Sequence, residues 1–210
     1  GYDGRWSPGM LLSYMTADIG AHHNRSWTIT VDMAEGRESI EGRANIVVYL
    51  QHIRPLFDTW CICRLFWGEL DITPEEIVES LNHITGWGMT LDDALRTSEM
   101  IWNLVRCHYI ERNRDDGRKF DYPPARSWED KIPSGPAKGK GVTKEQIEQM
   151  LDDYYVARGW DNKGNPTREI LENLGLGFAA DNLEKMGFIG EPIQGGIPPV
   201  RGEKYKPKAF

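Results

Sequence analysis

Apolar residues recur along most of this chain every three or four positions, which is the spacing that places them on one face of an α-helix. Near the start, Ser7 is a candidate N-cap and Pro8 suits the first helical position. We therefore predict a first helix over about residues 8–19, ending at Gly20. Over residues 27–31 the apolar and polar positions alternate only briefly, which predicts a short strand or an extended link.

Three threonines mark further helix starts. Thr73 and Thr143 are each followed three positions later by Glu or Gln, the pattern of a capping box. Thr90 precedes the longest amphipathic segment of the chain, whose apolar residues form one stripe. The last third of the chain predicts three helices, near residues 144–158, 167–174 and 178–186.

A buried helix is predicted from Gly42 onward, because the run ANIVVYLQHIRPLFDTW is apolar on most of its sides. Pro55 lacks a backbone donor, so we expect a kink or a stop near it. Residues 58–63 should then lie at the C-terminal end of this helix or in the turn beyond it.

Two segments lack helical periodicity. Residues 114–142 are polar and rich in Pro and Gly, which predicts an ordered meander or a flexible crossing. From Ile189 onward the chain indicates an irregular tail. The predicted fold class is all-α: a multi-helical domain over residues 1–210, with one long Pro/Gly-rich loop and an irregular C-terminal tail.

The charge balance argues against some classes of partner. The chain has 25 basic and 32 acidic residues, a net charge of −7, and no Lys/Arg-rich run that could neutralise a phosphate backbone. We therefore expect no nucleic acid as partner. No window approaches 18 apolar residues and no secretory signal pattern is present, so we expect no membrane association and a cytoplasmic location.

Candidate chemistry centres on the stretch DTWCIC, in which Asp58, Cys61 and Cys63 lie within six residues. Thiolates bind zinc or iron–sulfur clusters, but such sites usually need four ligands, so on the residues alone burial or a lone reactive thiol explains the two cysteines better than metal ligation does. A carboxylate such as that of Asp58 must be hydrated, paired or ligand-bound. Arg54 and Arg64 are candidate structural partners for it.

His22 and His23 follow the predicted first helix. Imidazole titrates near neutral pH, so either side chain is a candidate acid, base or metal ligand, or simply a surface histidine. Adjacent residues point in different directions, so we expect one of them at most to face a given site. The usual motifs of nucleotide binding, zinc hydrolysis and serine hydrolysis are absent from the sequence.

Four separated stretches together resemble the tungsten-dependent aldehyde ferredoxin oxidoreductase family. The opening segment, which ends in GAHHNR, is similar to the family's YDPRG…GMGLAYATSxRGACHxR, and DTWCIC is similar to DxxGLC. The segment ERNRDDGRKFDYPPAR is similar to FNxREGxxRxDDxLPxR. The most specific match by length is MLDDYYVARGWDNKGNPTREILENLGL, which resembles MLDEYYxxRGWDxxGxPTxxxLxxLGL.

The resemblance implies a fold and a role for three residues. Members of the family have an N-terminal β-domain that holds a tungsten bis-pyranopterin (tungstopterin), two helical domains and a [4Fe–4S] cluster, and this chain resembles the last helical domain. By position, Asp58 would bind the pterin and Cys63 would be the fourth cluster ligand. His23 matches the histidine near the tungsten, and would exchange a proton with the substrate oxygen.

The implied function is oxidation of a small-molecule aldehyde, or conversion of a related oxo or acyl substrate, with electrons passing to ferredoxin or another carrier. The other three cluster cysteines and the second pterin motif of the family are absent, so we expect upstream cofactor-binding domains or a cofactor subunit. Cys61 stands where the family has Gly. The alternative is a non-catalytic helical module that has lost cofactor binding.

Overall fold

The structure is a computed structural model that describes residues 3–68 and 70–198. Within those residues it contains ten α-helices and three short 3₁₀-helices, and the only β contacts are isolated bridges, so the predicted all-α class is confirmed. None of these helices has both the length and the apolar surface of a bilayer-spanning segment. The α-helices are α1 (Pro8–Met15), α2 (Ile29–Glu35), α3 (Arg43–Thr59), α4 (Leu65–Gly68), α5 (Pro74–Thr85), α6 (Leu91–Asn113), α7 (Arg126–Glu129), α8 (Lys144–Arg158), α9 (Arg168–Asn173) and α10 (Gly177–Met186).

Capping boxes begin α5 and α8, as the sequence indicated at Thr73 and Thr143, and a third begins α6 at Thr90, where the sequence indicated only a helix start. In each box the threonine hydroxyl accepts a hydrogen bond from the third helical N–H, while the side chain at that third position accepts one from the threonine backbone. Two donors that the helix cannot satisfy by itself are thus paired locally. These starts could be predicted because all of their partners lie within four residues.

The core forms around α3, which packs against α1, α6 and α8. Its side chains are buried on nearly every side, as expected for a helix without a continuous polar face. The helix continues through Pro55 to Thr59, so a stop at the proline is wrong. The predicted position of Asp58 at the end of this helix, with Cys63 in the turn beyond, is confirmed.

Residues 27–31 contain the start of a helix, so the predicted short strand or extended link is wrong. Helix α2 begins at Ile29 and buries Asp32, whose carboxylate accepts hydrogen bonds from the backbone N–H groups of Gly9 (3.2 Å) and Met10 (3.1 Å). Arg43 also pairs with this carboxylate, at 2.9 Å. The helix is therefore stabilised by contacts far away in sequence, which a local pattern cannot reveal.

Helix α1 is shorter than predicted, because it ends at Met15 and not near Gly20. Thr16 takes the C-cap position, where its hydroxyl donates to the carbonyl of Leu12 at 2.8 Å and accepts from the amide of Gln51 at 3.0 Å. This contact ties the end of α1 to α3. Residues 16–22 then form an irregular segment on the surface of the core.

The loop of residues 114–142 is an ordered meander, one of the two forms predicted for it. It contains α7 and a 3₁₀-helix, Gly117–Phe120. Arg106 of α6 fixes it by pairing with both carboxylate oxygens of Asp121, at 2.9 and 2.6 Å, and by donating to the carbonyl of Gly164 at 2.9 Å. From Ile189 to residue 198 the chain is irregular as predicted, and the rest of the predicted tail lies outside the described residues.

A charged pair is buried where α3, α6 and α8 meet. Arg158 is fully buried and pairs with Glu99, which also contacts His52 and accepts from the amide of Asn103 at 3.0 Å. Burial favours the protonated acid, but the charge of Arg158 and the contact with His52 outweigh it and lower the pKa of Glu99 to about 2. Glu99 is therefore ionised throughout the neutral range.

Replacement of Glu99 by Gln should destabilise the fold strongly. The variant would leave the guanidinium of Arg158 buried without its carboxylate, a change that typically costs about 3–5 kcal/mol. The matched control is Glu172→Gln, which removes one carboxylate from an exposed ion-pair cluster around Arg168 and should have a much smaller effect. Urea unfolding at pH 7 measures both; equal losses in the two variants would contradict the prediction.

The end of α3 is a Schellman motif with Cys61 in the left-handed position. The N–H of Ile62 donates to the carbonyl of Phe57 at 2.8 Å, and the N–H of Cys61 donates to that of Asp58 at 3.2 Å. Cys61 has φ of 55°, a conformation in which an L side chain is strained and glycine is not. The turn expected where the resembled family has glycine is present, with a thiol attached to it.

Substitution of Cys61 by Gly should therefore stabilise the chain, by about 1 kcal/mol. Cys63 is the matched control. It lies two residues further along the same segment, and its backbone φ is not positive. Cys63→Gly should give no gain. Denaturant unfolding under reducing conditions measures the free energy of unfolding of both variants. A loss of stability in Cys61→Gly would show that the Cys61 side chain stabilises the fold by more than the strained backbone destabilises it.

Candidate functional site

The DTWCIC segment presents its polar groups on the surface. Asp58 lies in the last turn of α3 with 73% of its side chain exposed, and both Cys61 and Cys63 are exposed. Neighbouring apolar residues anchor the segment, since Phe57 is buried and Ile62 packs against the core. The carboxylate and the thiol of Cys63 are thus held by a well-anchored turn and are open to contact from outside the chain.

Arg25 is the main partner of Asp58, and sequence reasoning missed it. The buried guanidinium donates to both carboxylate oxygens of Asp18, at 2.7 and 2.6 Å, and its third nitrogen pairs with Asp58. Burial disfavours the charge of Arg25, but the two carboxylates outweigh that effect and raise its pKa. The sequence did contain one indication of Arg25, because this residue aligns with the final Arg of the family's GACHxR segment.

His23 begins the 3₁₀-helix His23–Arg25, and so lies two residues before Arg25. Its ring stacks on His22, with centroids 4.8 Å apart, and meets the edge of Trp27 at 5.7 Å. His22 caps the 3₁₀-helix, since its Nδ1 accepts from the N–H of Asn24 at 3.1 Å. The adjacent histidines therefore differ in role: His22 holds the local backbone, and its ring helps to orient that of His23.

The electrostatic surroundings of His23 favour the neutral imidazole. Burial lowers its pKa first, and the charges of His22, Arg64 and Arg54 lower it further. Arg64 follows Cys63 directly in sequence, so the turn after α3 and the ring of His23 share one electrostatic environment. A neutral ring near pH 7 can accept a proton at one nitrogen and donate one at the other.

A cavity of about 900 Å³ opens beside the histidines. His22, His23 and Asp18 line one part of it, and aromatic side chains from α6 and from the loop of residues 114–142 line another. Asp58 and Cys63 are not among its lining residues. The predicted site residues therefore lie in two groups: His23 faces the cavity, while Asp58 and Cys63 lie beyond it. Arg25 joins Asp58 to Asp18 in the cavity wall.

The residues present fit single contacts to a cofactor. Among the described residues, no group of three His, Cys, Asp or Glu side chains comes together as a metal centre would require. An exposed thiol at Cys63 can donate one thiolate to iron, and an exposed carboxylate at Asp58 can accept paired N–H donors. Any remaining ligands would have to come from beyond the residues described.

The pKa of His23 should lie below the usual value of about 6.5 for an exposed imidazole. The Arg64→Gln variant removes one of the positive charges that lower it, so the pKa should rise in that variant. NMR titration of the His23 ring in wild type and variant measures both values. An unchanged or lower pKa in Arg64→Gln would show that Arg64 does not act on this ring.

The comparisons with known proteins agree with this arrangement. Residues 1–176 match the family model described as aldehyde ferredoxin oxidoreductase, domains 2 and 3. A tungsten-containing aldehyde ferredoxin oxidoreductase of Pyrococcus furiosus is 28% identical over 181 residues, which are 83% of this chain and 29% of that protein. The WOR-like subunit of an aliphatic sulfonate oxidoreductase from the same organism is 34% identical over 116 residues, 53% of this chain and 18% of that protein.

A solved structure has a similar fold: the active site complex BamBC of benzoyl coenzyme A reductase in complex with 1,5-dienoyl-CoA. It superposes with a TM-score of 0.59 at 23% identity, over 73% of this chain and 22% of the other. The chain spans about 29% of the length of the curated aldehyde ferredoxin oxidoreductases that it matches. Because the family model covers residues 1–176 of 210, the chain belongs to the aldehyde ferredoxin oxidoreductase family.

Proposed function

We propose that this chain is the C-terminal helical part of a tungsten-pterin, iron–sulfur oxidoreductase that oxidises an aldehyde, or a related oxo or acyl substrate, and passes electrons to ferredoxin. The observation that carries the proposal is the contact between Arg25 and Asp58. It joins the residue proposed to hold the pterin to the segment that carries His23. The cofactor would be completed by domains or a subunit outside this chain.

Asp58 is proposed to bind the pterin. Its exposed carboxylate can accept two hydrogen bonds from the amino-pyrimidine edge of a pterin, a pairing that requires a fixed carboxylate plane. Arg25 supplies that restraint, because it is buried and is itself held by both oxygens of Asp18. The pair therefore orients Asp58 before any cofactor arrives, which lowers the entropic cost of binding.

Cys63 is proposed as one ligand of the [4Fe–4S] cluster. The Schellman turn fixes its backbone, and the thiol lies at the surface, where iron held by another part of the enzyme could meet it. Cys107 is unsuited to that role, because it is buried within α6 and burial raises its pKa to about 12. Cys61 occupies the strained position of the turn and has no assigned ligand role.

His23 is proposed to handle the proton. Oxidation of an aldehyde to a carboxylic acid consumes one water and releases two electrons and two protons, and the tungsten centre when bound would supply the two-electron chemistry. The lowered pKa of His23 keeps its ring neutral at pH 7, so it can accept a proton from the reacting oxygen. Contacts with His22 and Trp27 hold the ring at the edge of the cavity.

A second candidate function is a non-catalytic helical module. It is favoured by the thiol at position 61, where the family pattern has glycine. Against it, Cys61 has the left-handed backbone conformation that glycine adopts readily, so a turn suited to the family's glycine is present in this chain. Asp58 and Cys63 keep their exposed positions on either side of it.

The metal content of the native enzyme tests the proposal. Anaerobically purified native assembly, full-length or with its cofactor subunit, should contain tungsten, iron and acid-labile sulfide. A Cys63→Ala variant should lose cluster iron, because one thiolate ligand is missing, whereas the matched Cys61→Ala variant should retain it. Elemental analysis and the electron paramagnetic resonance signal of the reduced cluster provide the readouts.

Absence of tungsten and iron from the wild-type assembly would overturn the proposal. Loss of iron in Cys61→Ala, with none in Cys63→Ala, would show that the other thiol is the ligand.

A further inference from the structure

The negative charge of this chain is concentrated in one short stretch. Residues 65–95 contain seven acidic residues and neither Lys nor Arg, whereas the rest of the chain has 25 residues of each sign. The net charge of −7 therefore comes from this stretch alone. Six of its acidic residues lie among the described ones, and all six are exposed: Asp71, Glu75, Glu76, Glu79, Asp92 and Asp93.

Helix α5 and the start of α6 carry five of these carboxylates. Helix α5 buries Pro74, Ile77 and Val78, so its acidic residues point to the solvent. The two helices contact each other, and the loop of residues 86–90 joins them. We call the exposed side of α5, this loop and the first turn of α6 the acidic face. Like charges gathered on one surface create a potential that attracts cationic partners from a distance.

The acidic face also presents two large apolar side chains to the solvent. Ile84, in the last turn of α5, is 83% exposed, and Trp87 in the loop is 67% exposed. The loop is held in place by Asn82, whose side-chain amide donates to the carbonyl of Met89 at 2.7 Å and accepts from its N–H at 2.8 Å. A tryptophan on an ordered loop loses little conformational freedom when a partner covers it, and Trp is enriched among the residues that dominate binding energies.

The acidic face adjoins the segment that carries Cys63. Trp60 of DTWCIC and Met89 of the loop pack against the same small buried cluster, formed by Leu56, Val78 and Ala94. Helix α4 begins two residues after Cys63, and α5 follows it. The loop that displays Trp87 and the turn that displays the proposed cluster ligand are therefore anchored on one support.

We propose that the acidic face is the docking surface for the protein that takes electrons from the cluster, and that this partner presents a basic surface with an apolar recess for Trp87. The inference rests on the proposed function and names the chemistry of its electron carrier. Opposite charges would speed the encounter and orient the partner, and Trp87 would then fix the complex. Each encounter passes one electron from the reduced cluster to the oxidised carrier, so one aldehyde requires two encounters.

The amount of charge favours a transient partner over a permanent one. A subunit that covered this face permanently would remove several carboxylates from water, which is costly unless each of them gains a cation. Electron-transfer complexes are small and short-lived, so the carboxylates can stay hydrated at the rim around a central apolar contact. A face of this kind suits a carrier that must arrive quickly and leave again.

Electron transfer from the native, cofactor-loaded assembly tests the inference. The assembly is reduced with dithionite, freed of excess reductant and mixed with oxidised cytochrome c, a basic carrier, or with oxidised flavodoxin, an acidic one. The second-order rate constant for cytochrome c should fall as salt is added, and that for flavodoxin should not. Glu79→Lys should lower the constant for cytochrome c by about tenfold at low ionic strength and raise that for flavodoxin.

Two matched variants serve as controls. Glu169→Lys changes the net charge equally, but Glu169 lies in the first turn of α9, away from the acidic face, so its effect should be much smaller. Trp87→Ala should lower the rate constant for cytochrome c by about tenfold. Phe178→Ala, which removes an exposed ring from α10, should leave it unchanged. Reduction of benzyl viologen, a small dye, should be the same in all four variants.

Equal effects of Glu79→Lys and Glu169→Lys, or no effect of Trp87→Ala, would overturn the docking face and leave the oxidoreductase proposal intact. Absence of tungsten and iron from the wild-type assembly would instead refute the proposed function. Titration calorimetry with oxidised cytochrome c then tests the face without electron transfer. Binding that weakens in Glu79→Lys and Trp87→Ala, but not in the two controls, would support the basic partner, and equal binding in all variants would exclude it.

Discussion

The pair between Arg158 and Glu99 is the interaction on which the rest of the structure depends. It is buried where three helices meet, and it is satisfied only because neighbouring side chains bond its remaining atoms: Arg158 also donates to Gln51 at 2.8 Å and to Tyr154 at 3.1 Å. A buried ion pair adds little stability in itself, but it requires one exact set of partners. The three helices are thereby held in a single register.

This network also shapes the cavity. Tyr154 bonds the indole of Trp102, and Asn103, bonded to Glu99, holds that of Trp160. The cavity wall is thus the outer surface of the polar core, and these two indoles of its lining are held by hydrogen bonds formed behind it. Gly117 of the loop and Gly164 after α8 let Arg106 approach the backbone closely, because a Cβ on either residue would lie within 2.6 Å of its guanidinium.

Much of the fold could be predicted from the sequence, because its signals are local. The boxes at Thr73 and Thr143 and the apolar periodicity between them need only neighbours within one turn. Helix α2 could not be predicted, since Asp32 is stabilised by the start of α1 and by Arg43, which are distant in sequence. For the same reason the end of α1 at Thr16 depends on a contact with α3.

The candidate site shows the same division. Asp58, Cys63 and His23 could be named from short motifs, whereas the cavity and the partner of Asp58 required three-dimensional contacts. Arg54 and Arg64 were the local candidates for that partner, yet Arg25, 33 positions away, makes the contact. Cys61 shows a further limit: the thiol stands where the family pattern has glycine, yet its backbone has the left-handed conformation that glycine favours, which the sequence difference did not reveal.

Arg25 ties two surfaces of the molecule into one rigid unit. Its guanidinium holds Asp58 on the outer side and Asp18 on the cavity side, and the backbone carbonyl of Asp18 in turn holds the hydroxyl of Tyr109. Each of these contacts is direct, so a displacement of the outer carboxylate must move the inner wall or break a hydrogen bond. The shape of the cavity is therefore sensitive to whatever docks on the end of α3, at a distance and without direct contact.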